Sequence, residues 1–122
     1  MLHIFVVALF ESKGIAEDAC NRLKTEGVPA HNITLLLLHE TAVPASATMQ
    51  PELEGLSVDP QVVGDVRRTY ARFIRNGETA VFVRADSEAD REFAIDTISL
   101  YEPIKIRVVS RGEGSIVGHD VL

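Results

Sequence analysis

Apolar positions along this chain form two similar arrangements of strand and helix. Residues 2–10 and 33–38 are continuous apolar runs, which predict strands that are covered on both faces. Between them, apolar residues recur at helical spacing after Ser12, a residue type that caps helices, and Gly27 stands where a C-terminal glycine cap is expected. The chain up to residue 38 therefore predicts a strand–helix–strand unit.

A second unit of this kind follows in the C-terminal half. Residues 79–85 predict a strand, and Ser87 is placed to cap a helix over residues 88–101. In residues 104–109 apolar and charged side chains alternate, which predicts a strand with one buried and one solvent-exposed face. A shift of 75 positions places Ser12 on Ser87, so we interpret the two units as equivalent halves.

The segment between the two units predicts one further helix after a long loop. Residues 39–58 contain prolines and small residues without a period, and are interpreted as a loop. Asp59-Pro60 is a strong helix start, and the apolar stripe that follows runs to Asn76-Gly77, where the helix should end. Residues 1–110 thus predict a single α+β domain, and residues 111–122 a tail that either adds an edge strand or trails from it.

Two folds are compatible with this order of elements. The preferred one is a ferredoxin-like sandwich, a four-stranded antiparallel sheet in which the extra helix replaces the usual hairpin between the halves. The alternative is a parallel three-layer α/β sheet in which each helix is a crossover. The alternating strand at residues 104–109 favours the first, and the continuous apolar runs favour the second.

Composition and net charge argue against several classes of function. The chain has 122 residues and a net charge of −6, which argues against general binding to nucleic acids or to anionic membranes. No apolar run approaches the roughly 20 residues that a membrane-spanning helix needs. The single cysteine, Cys20, cannot form an internal disulfide and is predicted to pack in the core, so the expected compartment is the cytoplasm.

Candidate binding groups fall in two places. His39 and Glu40 follow the second strand and, with Tyr70, could form a small-molecule site under the 39–58 loop, although the preferred interpretation of His39 and Glu40 is an exposed loop pair. Arg68 and Arg72 belong to a group of arginines on the middle helix. This group could bind phosphate or an acidic partner, or its positive charges could simply stabilise the C-terminal end of the helix. That group is Arg67, Arg68, Arg72 and Arg75.

Other polar residues are interpreted structurally. His119-Asp120 lies in the tail, without the rigid support that a site requires. Asp86-Ser87 is interpreted as a helix cap. The sequence shows no phosphate-binding glycine loop and no metal-ligand spacing, so no cofactor, no metal and no catalytic residue is predicted.

The run from Asp59 to Glu88 combines a tyrosine-bearing amphipathic helix, a glycine, an apolar strand and Ala85-Asp86 before the next helix. Together with Phe10-Glu11-Ser12, this run resembles the bacterial heat-induced, general-stress YflT-type domains over about residues 4–109. The linker here is rich in alanine and proline, where a glycine-rich segment is often seen in that family. The family has no defined reaction, so the resemblance implies a stress-associated protein and no catalytic residue.

The preferred function is a small, non-enzymatic binding or interaction module that forms a homo-oligomer, most simply a dimer. Apolar strands that need cover on both faces favour self-association. The alternatives are a small-molecule enzyme with a site near His39, whose ligand the sequence does not identify, and phosphate or nucleic-acid binding through the Arg67–Arg75 helix face.

Overall fold

The structure is a computed structural model and describes residues 3–39, 60–70, 76–112 and 115–121. Within these ranges five strands and three helices alternate, and a short 3₁₀ turn precedes the second strand. In chain order they are β1 (His3–Phe10), α1 (Lys13–Thr25), β2 (Ile33–His39), α2 (Pro60–Thr69), β3 (Asn76–Ala85), α3 (Glu88–Ser99), β4 (Lys105–Gly112) and β5 (Ser115–Asp120).

The strands form one sheet in the order β2-β3-β1-β4-β5, and all four neighbouring pairs are antiparallel. Strand β1 is central, and its Val7 lies opposite Phe82 on one side and Arg107 on the other. Strand β3 lies between β1 and β2, and β1 lies between β3 and β4. Each strand–helix–strand unit therefore joins two strands that run in the same direction but are not neighbours.

These pairings correct two predictions. The sheet has five strands, where four were predicted, because residues 115–120 of the tail pair with β4 as an edge strand. The alternative of a parallel sheet is wrong, because every neighbouring pair is antiparallel. Continuous apolar runs indicated cover on both faces of the sheet, but burial on two faces does not fix the direction in which strands pair.

The cover on the two faces comes from different helices. The core on one face, which we call the two-helix face, is built with side chains of α1 and α3, whereas the core on the other, the one-helix face, is built with side chains of α2. Burial of each large apolar side chain contributes about 1.5–3 kcal/mol relative to exposure. The fully buried large residues of both faces are Leu9, Phe10, Leu23, Val62, Val66, Tyr70, Phe82, Ile98 and Ile106, with Val6 and Val7.

The helix ends follow the local chemistry of the sequence. Ser12 and Ser87 cap α1 and α3, and their hydroxyl oxygens accept hydrogen bonds from the N–H groups of Ile15 (3.4 Å) and Asp90 (3.1 Å). Gly27 has a φ of 108°, the left-handed conformation that favours glycine after a helix. Two helix ends differ from the prediction. Helix α3 ends at Ser99 rather than at residue 101. Helix α2 ends at Thr69, and Asn76, expected at the end of α2, begins β3.

Candidate functional site

Four polar side chains from three elements meet on the one-helix face, beside the edge strand β5. Asp65 belongs to α2, Tyr70 directly follows it, Arg107 lies on β4 and Asp120 on β5. Arg107 donates from Nε to Asp65 Oδ2 at 3.3 Å and from Nη1 to Asp120 Oδ1 at 3.1 Å. The Tyr70 hydroxyl donates to the same Asp120 Oδ1 at 2.9 Å. We call these four residues the Arg107 cluster.

Strand register explains how the cluster forms. Arg107 lies opposite Val7 of β1 and opposite Asp120 of β5, and residues that lie opposite each other project from the same face of a sheet. Val7 belongs to the core beneath α2, so Arg107 and Asp120 face this helix as well. The Arg107 side chain is 13% exposed and that of Asp65 is 19% exposed. The charged face of β4 was predicted to be solvent-exposed, but α2 and β5 largely cover it at Arg107.

Gly118 makes room for the guanidinium. A Cβ atom added at Gly118 would lie 2.6 Å from Arg107 Nη2 and 2.8 Å from Cζ, well inside contact distance. Because this end of Arg107 is held by two carboxylates, it cannot move away without breaking those contacts. A side chain at this point of β5 would therefore displace the guanidinium from its two carboxylates.

The side chains of the Arg107 cluster are chemically unreactive. The single guanidinium of Arg107 already serves two carboxylates, so the site is not built to attract a phosphate or another anion. Burial raises the pKa of Tyr70 far above its ordinary value, and the hydrogen bond to Asp120 raises it further. The phenol therefore stays protonated at neutral pH and is a poor general base. The arrangement joins β5 and α2 to β4.

Cys20 is also unreactive. It lies on α1 in the core of the two-helix face and is 5% exposed. Burial is the main reason that its pKa is raised to about 11; the charge of Lys24 partly opposes this rise, and that of Glu17 makes a smaller contribution to it. The thiolate, which is the nucleophile, is thus scarce at neutral pH. The prediction that Cys20 packs in the core is confirmed.

The predicted binding residues are not brought together in the part of the chain that the structure describes. The backbone of His39 ends β2, at one edge of the sheet, whereas the Tyr70 hydroxyl binds to β5 at the other. Four strand spacings, roughly 19 Å, separate these edges. Arg68 is exposed on α2, and Glu40 and Arg72 lie outside the described residues. The shared site of His39, Glu40 and Tyr70 stays a prediction.

Sequence reasoning missed Asp65, Arg107, Gly118 and Asp120. The available signal was the charged position in β4 together with Asp120 in the tail, but their pairing depends on a strand register that the local sequence does not reveal. Within the described ranges, no group of three or more His, Cys, Asp or Glu side chains is placed to bind a metal ion. No helix among these residues is both long and apolar enough to cross a membrane.

The opposite edge of the sheet has a different character. Strand β2 pairs on one side with β3, and no other described strand pairs with it. Its seven residues, Ile-Thr-Leu-Leu-Leu-Leu-His, include no Asp, Glu, Lys or Arg. Leu37 is 37% exposed at this edge. An uncharged, apolar strand at the edge of the described sheet is a template for pairing with another strand.

Comparison with known proteins adds no relative to this picture. No family model matches the chain, and no curated protein or solved structure is significantly similar to it.

Proposed function

We propose that this protein is a small, non-enzymatic interaction module that self-associates, and that the apolar edge strand β2 is its binding element. The observation that carries the proposal is the uncharged β2 strand at a sheet edge, with Leu37 partly exposed. Strand addition at such an edge uses backbone hydrogen bonds for affinity and side chains for specificity. A homodimer is the simplest product.

The state of the reactive groups supports a binding role over catalysis. Cys20, the only cysteine, is buried and its pKa is raised to about 11, so it is not poised as a nucleophile. The Tyr70 phenol and the Arg107 guanidinium are already bound to carboxylates of the same chain. The described residues thus offer an interaction surface more readily than a reaction centre.

The strand order supports the ferredoxin-like plan as the parent fold. The four strands β2-β3-β1-β4 come from two strand–helix–strand units, each of which places its strands on either side of one strand of the other unit. This interleaving of two units is the split arrangement of that fold. On this proposal β5 and α2 are additions, one at the edge and one across the second face. The stress-associated, cytoplasmic role implied by the resemblance to YflT-type domains is part of the same proposal.

The proposal is tested by measuring mass in solution. Light scattering after size-exclusion chromatography should give about 27 kDa, twice the chain mass of 13.4 kDa. Leu37→Lys should shift the protein toward the monomer and raise the dimer dissociation constant tenfold or more, because it places a charge on the β2 edge. Val117→Lys is the matched control: Val117 is 66% exposed on β5, and a charge there should leave the mass unchanged.

Three results would count against this function. A strict monomer at millimolar concentration would remove the self-association. Equal effects of Leu37→Lys and Val117→Lys would remove the assignment to β2. A melting temperature raised by one member of a metabolite and nucleotide panel, and lost in His39→Ala, would favour the small-molecule enzyme instead.

A further inference from the structure

The two edges of the sheet run in the same direction. Strands β3 and β4 are both antiparallel to β1, and β2 and β5 are antiparallel to β3 and β4 in turn. Two copies related by translation would therefore place β2 beside the partner's β5 in parallel. A two-fold axis perpendicular to the sheet would instead place β2 antiparallel to the partner's β2, and would keep α1 and α3 of both copies on the same side.

Charge favours the two-fold arrangement. The chain carries a net charge of −6, so two copies repel each other over most of their surfaces. The β2 edge has no charged side chain, whereas β5 ends in Asp120, which is 43% exposed at its side chain and bound to Arg107. Approach through two β2 strands brings together two segments that have no Asp, Glu, Lys or Arg. A β2–β5 contact would also leave one edge of each kind open and so lead to a filament.

Register limits where the axis lies. The pairing of β2 with β3 is regular from Ile33 to Leu37 and shifts before His39. The regular part is five residues long, and its centre is Leu35. A two-fold axis at this centre places Leu35 opposite the partner's Leu35, and Ile33 opposite the partner's Leu37. Ile33 and Leu35 already pack against the core of the two-helix face, so this ladder would continue that core from one copy into the other.

We infer that the protein forms a closed, two-fold dimer through antiparallel pairing of β2 with the partner's β2, centred at Leu35, which gives a continuous ten-stranded sheet. This inference rests on the proposed function and specifies its partner and geometry. The Cα atoms of the two Leu35 residues would lie about 5 Å apart, within the range that a disulfide can bridge. Those of the two Leu37 residues would be offset by four positions, about 15 Å apart, and the two Val117 residues by nine strand spacings, roughly 43 Å.

Disulfide trapping tests the geometry. In a Cys20→Ala background, Leu35→Cys should form an intermolecular disulfide under mild oxidation at least tenfold faster than Leu37→Cys or Val117→Cys. Val117 is the most informative control because it is 66% exposed, so random collisions would trap it first. The double variant Ile33→Cys with Leu37→Cys should also be trapped, and it provides an independent check should Leu35→Cys fail to fold in thermal melts.

The outcomes separate this inference from the function on which it rests. A monomer by light scattering before oxidation overturns both. A dimer in which Val117→Cys or Leu37→Cys is trapped faster than Leu35→Cys and the double variant overturns the β2 geometry alone. Species larger than a dimer that grow with concentration would indicate an open β2–β5 assembly and also overturn it.

Discussion

The two edges of this sheet show opposite ways of ending a β-structure. Strand β5 is a six-residue strand whose Asp120 is bound by Arg107 and Tyr70, and whose Gly118 fits over the guanidinium. Strand β2 has seven residues, mostly leucine, and no charge. The first edge is held by contacts within its own chain, whereas β2, among the strands that the structure describes, pairs with β3 alone.

If β2 is the binding edge, as proposed, exposure alone does not identify it. Val117 on β5 is 66% exposed and Leu37 on β2 only 37%, yet the stronger case for an interface is at β2. A single exposed apolar side chain is common on protein surfaces. An edge strand without any charged or proline residue is less common, because natural edge strands usually carry such residues, which block pairing.

Among the substitutions that test this comparison, the loss of Arg107 should have the largest effect on stability. Arg107→Ala leaves the largely buried Asp65 and the partly exposed Asp120 without their cation, and should lower the free energy of unfolding by about 2–3 kcal/mol. Hydrogen exchange should accelerate first at β5, while β2 keeps its protection. Urea unfolding at one fixed protein concentration, so that any dimer contributes equally, provides the measurement.

Arg84→Ala is the control for this variant. Its ion pair with Asp86 joins side chains that are 39% and 64% exposed, so the loss should be at most about 0.5 kcal/mol. Equal losses for Arg84→Ala and Arg107→Ala would mean that the cluster does not hold β5, and that the contrast between the two edges is one of composition only.

A methyl group at Gly118 should have the next largest effect. Gly118→Ala pushes against Nε, Cζ and Nη2 of Arg107, all within 3 Å of the new Cβ, and should cost about 1–2 kcal/mol. Gly14→Ala is the matched control, because no atom lies within 4 Å of its added Cβ and it occupies a helix, where alanine is favoured by up to about 1 kcal/mol. Gly118→Ala as stable as the native chain in urea would show that β5 has room to adjust.

Local features of the fold could be predicted from the sequence, since they depend on neighbouring residues. Ser12, Ser87 and Gly27 cap helices as expected, and Pro60 begins α2, because each of these residues acts within one helical turn. The fifth strand could not be predicted with the same certainty. Whether residues 115–120 trail or pair depends on contacts with β4 that only the folded sheet supplies.

The side-chain contacts of the Arg107 cluster, like the pairing of β5, could not be predicted from neighbouring residues. The alternation in β4 identified which residues share a face, but it assigned the charged face to solvent. Arg107 is covered because Asp65 and Asp120 arrive from 42 and 13 residues away in the chain. Tyr70 was selected as a polar group, and its partner lies 50 residues further on. The prediction for His39 and Glu40 stays open.

Removal of the Tyr70 hydroxyl should give the smallest change at neutral pH and the most specific one at alkaline pH. Tyr70→Phe keeps the buried ring and loses one hydrogen bond to Asp120, which should cost about 1 kcal/mol at pH 7. In the folded protein the pKa of Tyr70 is raised, whereas in the unfolded chain it titrates near its ordinary value of 10.0. The native chain should therefore lose stability relative to Tyr70→Phe once the pH exceeds that ordinary value.

Proton binding explains why the native chain should lose stability at alkaline pH. Above the ordinary pKa the unfolded chain releases the phenol proton while the folded chain retains it, and this favours unfolding by up to about 1.4 kcal/mol per pH unit. The stability curves of the two proteins should then cross by about pH 11. Cys20 titrates in a neighbouring window, from 9.0 in the unfolded chain to about 11 when folded, so both proteins should carry Cys20→Ala. Parallel curves from pH 7 to 11 would show that the hydroxyl is not held at β5, and would leave Arg107 alone to distinguish this edge from β2.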